Sequence, residues 1–329
     1  MIRTTLLLLV SLAAFASGDL GRLTRNDAGQ IIAVDLTFAW VTDADLEKLA
    51  QLPYLEEIDL AHTWITDLGL EHLRPLRNVE RLNLYYTEYI TDAGIAHIKD
   101  WPRLEYLNLR GTKVTSRVFE YVAQLTTLRF LDVGFSRVTD DGFDRLTSLT
   151  DLEHLGIGGN KMSGAALPLL KLLPSLRSLD LGGLQRTDSG LWGLALSDFN
   201  VEALESLTDL QSLRLNATKI TDLGLARLAA KLENLETLDL GQTPISSKGI
   251  AALRKLPKLR RLKLWKAEKI DDAALPDLLA MKLDFLDVTE TAITGEGLRG
   301  AGSSPRGASA PPAHDDPSEA GSPGRADPG

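Results

Sequence analysis

The sequence predicts an α/β solenoid: a curved parallel β-sheet on the inner face with helices on the outer face. Three observations lead there. A unit of about 24 residues recurs eleven times between Ile31 and Leu298. Within each copy the hydrophobic pattern changes halfway, from L-x-x-L-x-L, which alternates near its end like a strand, to apolar residues three or four apart, like a helix. The copies keep one register, so that "ITDLGL" stands at Ile65 to Leu70 and again, letter for letter, at Ile220 to Leu225. Such units cannot bury an apolar face alone, and stacking gives them a continuous core.

Ahead of the array, residues 1–16 carry one positive charge at Arg3, an apolar run from Leu6 to Phe15 and small residues at Ala14 and Ala16. This is the layout of a cleavable secretory signal, with no stable membrane anchor expected. Residues 17–30 form an N-terminal cap segment, and the solenoid occupies 31–298. Copies begin at Ile31, Leu55, Val79, Leu104, Leu128 and Leu152, then at Leu176, Leu210, Leu235, Leu259 and Leu283. The seventh runs about ten residues long, which places an insert near 197–208, while "RTDSGL" from Arg186 reads as its copy of the hexapeptide. Two copies gain one residue, at Glu88-Tyr89 and at Glu268-Lys269, just after aromatic side chains. The tail at 299–329 has no Leu, Ile, Val or aromatic residue and cannot bury enough to order itself. It is expected to be disordered, either a natural linker or a non-native end.

In LEEIDLAHTWITDLGLEHLRPL from Leu55 and its sister copies, the sequence resembles the leucine-rich repeat family. The resemblance is to its ITDxGL-type subset, found in bacterial exported proteins and in the repeats of F-box receptors. It implies a scaffold for binding partners and is nearly silent on which partner. Where the family has Asn or Cys, this chain mostly has Thr: Thr63, Thr87, Thr112, Thr218, Thr243 and Thr291, with Ser136 and Asn160 as variants. A column of hydroxyls there would satisfy backbone groups left unpaired by the curve. In the hexapeptide, Ile65 and Leu70 face the core, Thr66 or Asp67 caps a helix, and Gly69 permits close packing.

Residues flanking the strand leucines are expected to point to solvent on the inner face, including those between the two leucines. Copies three to five gather Arg81, Asn83, Tyr85 and Tyr86, then Tyr106, Asn108 and Arg110, then Phe130 and Phe135. Aromatic and arginine side chains dominate interface hot spots, so these are the candidate partner-binding residues. A smaller basic patch offers Arg261, Lys263 and Trp265, with Arg214 and Lys266. Between the two, Gly156, Gly158, Gly159, Gly182 and Gly183 read as a bare floor.

Several classes of function find no support. The formal net charge of −9 repels phosphate backbones, which argues against nucleic acid. With no cysteine there are no disulfides or thiolate metal sites, and the five histidines fall in scattered places of the repeat. No copy assembles a nucleophile, base and orienter, so no enzyme, cofactor or metal is expected. The residues therefore point to an exported protein, periplasmic or extracellular, that binds another protein on its inner face. Two alternatives stay open: a carbohydrate-binding protein of the envelope or matrix, with Tyr85, Tyr106 and Trp265 as platforms for sugar rings, or a structural surface spacer.

Overall fold

The computed structural model describes residues 22–301. The expected signal at 1–16 lies outside them. The expected tail begins inside the last described helix, Gly295–Ala301, and the rest of it lies outside them too.

Strand β1 (Arg22–Arg25) runs antiparallel to β2 (Ile31–Asp35) and covers the first edge of the sheet. Three-residue strands follow, one per copy: β3 (Glu57–Asp59), β4 (Arg81–Asn83), β5 (Tyr106–Asn108), β6 (Phe130–Asp132), β7 (His154–Gly156) and β8 (Ser178–Asp180). Next come β9 (Gln185–Thr187) and β10 (Gly190–Trp192), then β11 (Ser212–Arg214), β12 (Thr237–Asp239), β13 (Arg261–Lys263) and β14 (Phe285–Asp287). All but β9 and β10 join one 12-stranded sheet in chain order. The copies pair in parallel, Leu82 opposite Leu107, Leu107 opposite Leu131 and Leu131 opposite Leu155. Register is pinned because each of β3 to β8 and β11 to β13 buries its central Leu or Ile, and a one-residue slip would turn that residue to solvent.

The seventh copy corrects the expected insert. Its extra residues are not at 197–208 but form an antiparallel hairpin of β9 and β10, outside the main sheet. "RTDSGL" is that hairpin, despite its likeness to the hexapeptide. The working slot of this copy is Ser197-Asp198, whose carboxylate bonds Thr221 of the next copy, and Val201–Leu204 is its ordinary outer-face turn.

On the outer face, α-helices form at Asp43–Leu49, Asp67–Leu73, Asp92–Ile98 and Asp222–Ala229. Copies five and six have only 3-10 turns there, Phe143–Ser148 and Leu167–Leu172. Gly142, in the left-handed region at φ 67°, stands directly before the first of these, and the second carries a proline in its first turn, where no intrahelical amide bond is lost.

The hexapeptide works between copies. Thr66 caps its helix by accepting from the amide of Leu68, and Asp43 of the preceding copy accepts from both the amide and the hydroxyl of Thr66, each at 2.7 Å. The same clasp joins Asp67 to Thr91, Asp92 to Thr115 and Asp222 to Ser246. Thr42 meets no such carboxylate among the described residues and closes on Asp45 of its own helix. The motif's glycine leaves room for the incoming carboxylate: a Cβ at Gly94 would stand 2.5 Å from Asp67 Oδ1. On the inner side of the turns, the Thr column donates to the carbonyl three residues back, as Thr63 does to Leu60 at 2.7 Å and Thr243 to Leu240 at 2.6 Å, whereas Thr87 reaches Leu60 of the preceding copy at 2.8 Å.

Gly94→Ala is expected to destabilise the fold by about 1 to 3 kcal/mol through overpacking. In an Asp67→Ala background the same change should do less, and urea unfolding of the four proteins in a double-mutant cycle measures the coupling.

Candidate protein-binding face

The first residue of each short strand projects from the inner face, and in-register pairing sets these side chains at the strand spacing of about 4.8 Å. Planar groups at that spacing stack. The Arg81 guanidinium lies 4.0 Å from the Tyr106 ring centre, Tyr106 lies 4.1 Å from Phe130, and Phe130 lies 4.1 Å from His154 with rings 3° from parallel. His154 Nδ1 then meets Ser178 Oγ at 2.8 Å. The result is a ladder across β4 to β8. Both faces of Tyr106 and Phe130 are taken by neighbours, so the ladder presents edges outward.

The residue between the strand leucines does not point freely to solvent, contrary to expectation. Its side chain turns along the strand to accept from the amide two residues on, as Asp59 does from Ala61, Asn108 from Arg110 and Asp180 from Gly182. Asn108, Asp132, Asp180 and Asp239 are buried. Asn83, half-buried, accepts from the Tyr85 amide and donates to Asp59.

Arg110 is buried as well, 7% exposed, and it fills the floor that glycines alone appeared to leave bare. Its Nη1 donates to Asp132 at 3.1 Å and to Asp180 at 3.0 Å, and its guanidinium lies 4.5 Å from the Phe135 ring centre. A Cβ on Gly156 would meet the Asp132 carboxylate at 2.5 Å, and Phe135 lies against Gly159 and Gly183. Burial opposes the charge on Arg110, yet the two aspartates overcome it and hold its pKa above the ordinary arginine value. Burial also pushes the Asp239 carboxyl up, against the Gly241 amide and the Lys263 and Arg214 charges.

Of the predicted site residues, Arg81, Tyr106, Phe130, Tyr86 and Phe135 keep exposed or partly exposed surface. Tyr85, Asn108 and Arg110 are removed from any docking partner because all three are buried. The predicted sugar platform is broken up for the same reasons, since Tyr85 is buried, Tyr106 is covered on both faces and the Trp265 ring lies against Gly241. Arg261 stacks over Phe285 at 4.7 Å, and Arg261, Lys263 and Trp265 sit seven strand steps from Arg81, about 34 Å along the sheet.

Two further aromatic rows were missed in the sequence. Phe38, His62 and Tyr86 stack with centroids 4.3 and 5.7 Å apart, and Trp40, Trp64 and Tyr89 follow at 6.4 and 5.9 Å. Trp40 is 85% exposed and Phe38 67%. Their signal was the repeat spacing itself, 24 residues from 38 to 62 and from 62 to 86. Phe38, His62 and Tyr86 occupy the turn residue after the strand, which has positive φ in all eleven copies; it is glycine only at Gly111, Gly159 and Gly183.

A family model described as Leucine Rich repeat matches residues 51–73, 124–144 and 231–253. The chain is a leucine-rich repeat solenoid. No curated protein matches its sequence. Among solved structures, the solenoid is similar to an internalin, InlF, from Listeria monocytogenes at TM-score 0.56 and 18% identity, covering 84% of this chain and 88% of that one. An internalin C2 from the same organism aligns at TM-score 0.38 and 24% identity over 77% and 84% of the two chains. The PEPR1 chain of a PEPR1–AtPEP1 structure aligns at 0.47 and 16% over 82% of this chain and 36% of that one. At these identities the likeness to InlF concerns the fold alone.

In this leucine-rich repeat solenoid, Arg110→Met takes from buried Asp132 its cation and leaves Asp180 with Arg214 alone, at 3.5 Å, and a loss of about 3 kcal/mol or more is expected in urea unfolding. Burial holds the His154 pKa below its ordinary value of 6.5. The unfolded chain therefore takes up a proton that the folded chain refuses, so stability is full above that value and is lost as pH falls through it. Between about pH 7.5 and pH 5.5 the wild type should lose more stability than His154→Phe, which keeps the stack; unfolding midpoints at the two pH values check this.

Proposed function

We propose that this leucine-rich repeat chain is an exported, non-enzymatic scaffold that binds a protein partner on its inner face, centred on Arg81, Tyr106 and Phe130 with Tyr86 and Phe135 at its margin. The observation that carries the reading is the aromatic ladder together with the two exposed rows on copies one to three. Monomers seldom expose contiguous apolar surface of this kind without a partner to cover it. The rings are held by stacking before a partner arrives, so docking spends little side-chain entropy. Edges and a tyrosine hydroxyl suit a protein surface, which offers carbonyls and side-chain groups at many angles. Arg261, Lys263 and Trp265 form a second contact for a partner long enough to span the gap. Export rests on the pattern of residues 1–16; among the described residues no helix is long and apolar enough to cross a membrane.

Co-purification from the native source tests the reading. Proteins enriched by the wild type should be lost with Arg81→Glu/Phe130→Ala, at least tenfold weaker in affinity, while the unfolding midpoint stays within about 1 kcal/mol of wild type in stability. A partner held equally by both proteins would reject the inner face as its site, and the absence of any partner would leave the spacer reading. Leu60→Asp, at a fully buried core position, should instead disrupt the array locally.

A further inference from the structure

Beneath the β9–β10 hairpin, between it and the turns of copies three to five, lies a cleft of about 630 Å³. Tyr86 and Phe135 line it from the turns, and Trp192 from the hairpin. All three residues of β9 line it too. Strand β9 pairs only with β10, and among the described residues no backbone hydrogen bond joins it to anything else. Its other edge is thus open, and an open strand edge is a template for an added strand. Gln185, on this strand, has its Oε1 buried with no donor supplied by the described residues, an arrangement folded chains seldom leave uncompensated.

Charge narrows the occupant. Lys113, Arg137 and Arg186 line the cleft, and none of them makes an ion pair among the described residues. The carboxylates Glu88 and Asp188 line it as well, leaving an excess of one positive charge in a chain whose formal net charge is −9. Guanidinium groups hold carboxylates through paired, directional hydrogen bonds.

We infer that this cleft binds an extended acidic peptide segment of a partner protein, added as a third strand to β9. Its carboxylates face Arg137 and Arg186, an apolar side chain packs among Trp192, Phe135 and Tyr86, and an amide donates to Gln185. The inference rests on the protein-binding reading above, since Tyr86 and Phe135 belong to both surfaces, but it concerns a different contact.

A phage-displayed library of random decapeptides, selected on the full chain, tests it. Enriched sequences should carry acidic residues in excess. A synthetic peptide made from them should bind at least tenfold more weakly to Arg137→Glu/Arg186→Glu, a pair of exposed substitutions whose folding is checked by circular dichroism. It should also lose at least tenfold when alternate backbone amides are N-methylated. Undiminished binding to Arg81→Glu/Phe130→Ala would separate this site from the inner-face ladder. Enrichment without acidic excess, binding indifferent to the charge reversal, or no enrichment at all would overturn the proposal; indifference to N-methylation would overturn strand addition.

Discussion

The carboxylate that reaches from one copy into the helix start of the next is the contact on which the array depends. Apolar burial along the leucine columns supplies most of the driving force, but it is non-directional and would tolerate copies sliding against one another. The clasp of Asp43 on Thr66, repeated as Asp67 on Thr91 and Asp222 on Ser246, fixes both the spacing and the rotation between neighbours. It also explains a glycine whose place in the motif has little to do with backbone freedom. The residue at Gly94 is small because the space beside it belongs to another copy's side chain.

Fixed spacing on the outer face dictates what can happen on the inner one. Strands held in register bring like positions together at a distance suited to stacked rings, so Arg81, Tyr106, Phe130 and His154 become one object rather than four exposed residues. The same geometry lets Arg110 span from Asp132 to Asp180 across the glycine of β7. That buried ion network runs beside the ladder, beneath the same copies, and its groups are already committed to each other.

The fold was legible in the sequence because its period is long, repeated and in register; eleven copies average away the ambiguity that a single strand of three residues would carry. The Thr column and the cap were legible for the same reason. Orientation within the strand was not. Alternation assigns Asp132 and Asn108 to the solvent side, whereas a short polar side chain at that position folds back onto the amide two residues ahead and is then roofed by its neighbours. "RTDSGL" misled because five of its six letters satisfy the motif, while the test that matters is whether its Asp meets the next copy, and that partner is supplied by Asp198. Phe38, Trp40, Trp64 and Tyr89 were visible as a periodic series, but they fall outside the strand positions on which a concave-face reading concentrates.

The turn residue after each strand has a consequence for how such a surface is held. Positive φ disfavours a side chain by roughly 1 kcal/mol or more relative to glycine, yet copies one to three place Phe38, His62 and Tyr86 there. At this slot every side chain, ring or not, gives up backbone ease that glycine would keep, and only Gly111, Gly159 and Gly183 are spared it. The strain of one copy is therefore carried by the packing of its neighbours, and a stacked row such as Phe38, His62 and Tyr86 is held in place by the array rather than by its own turns.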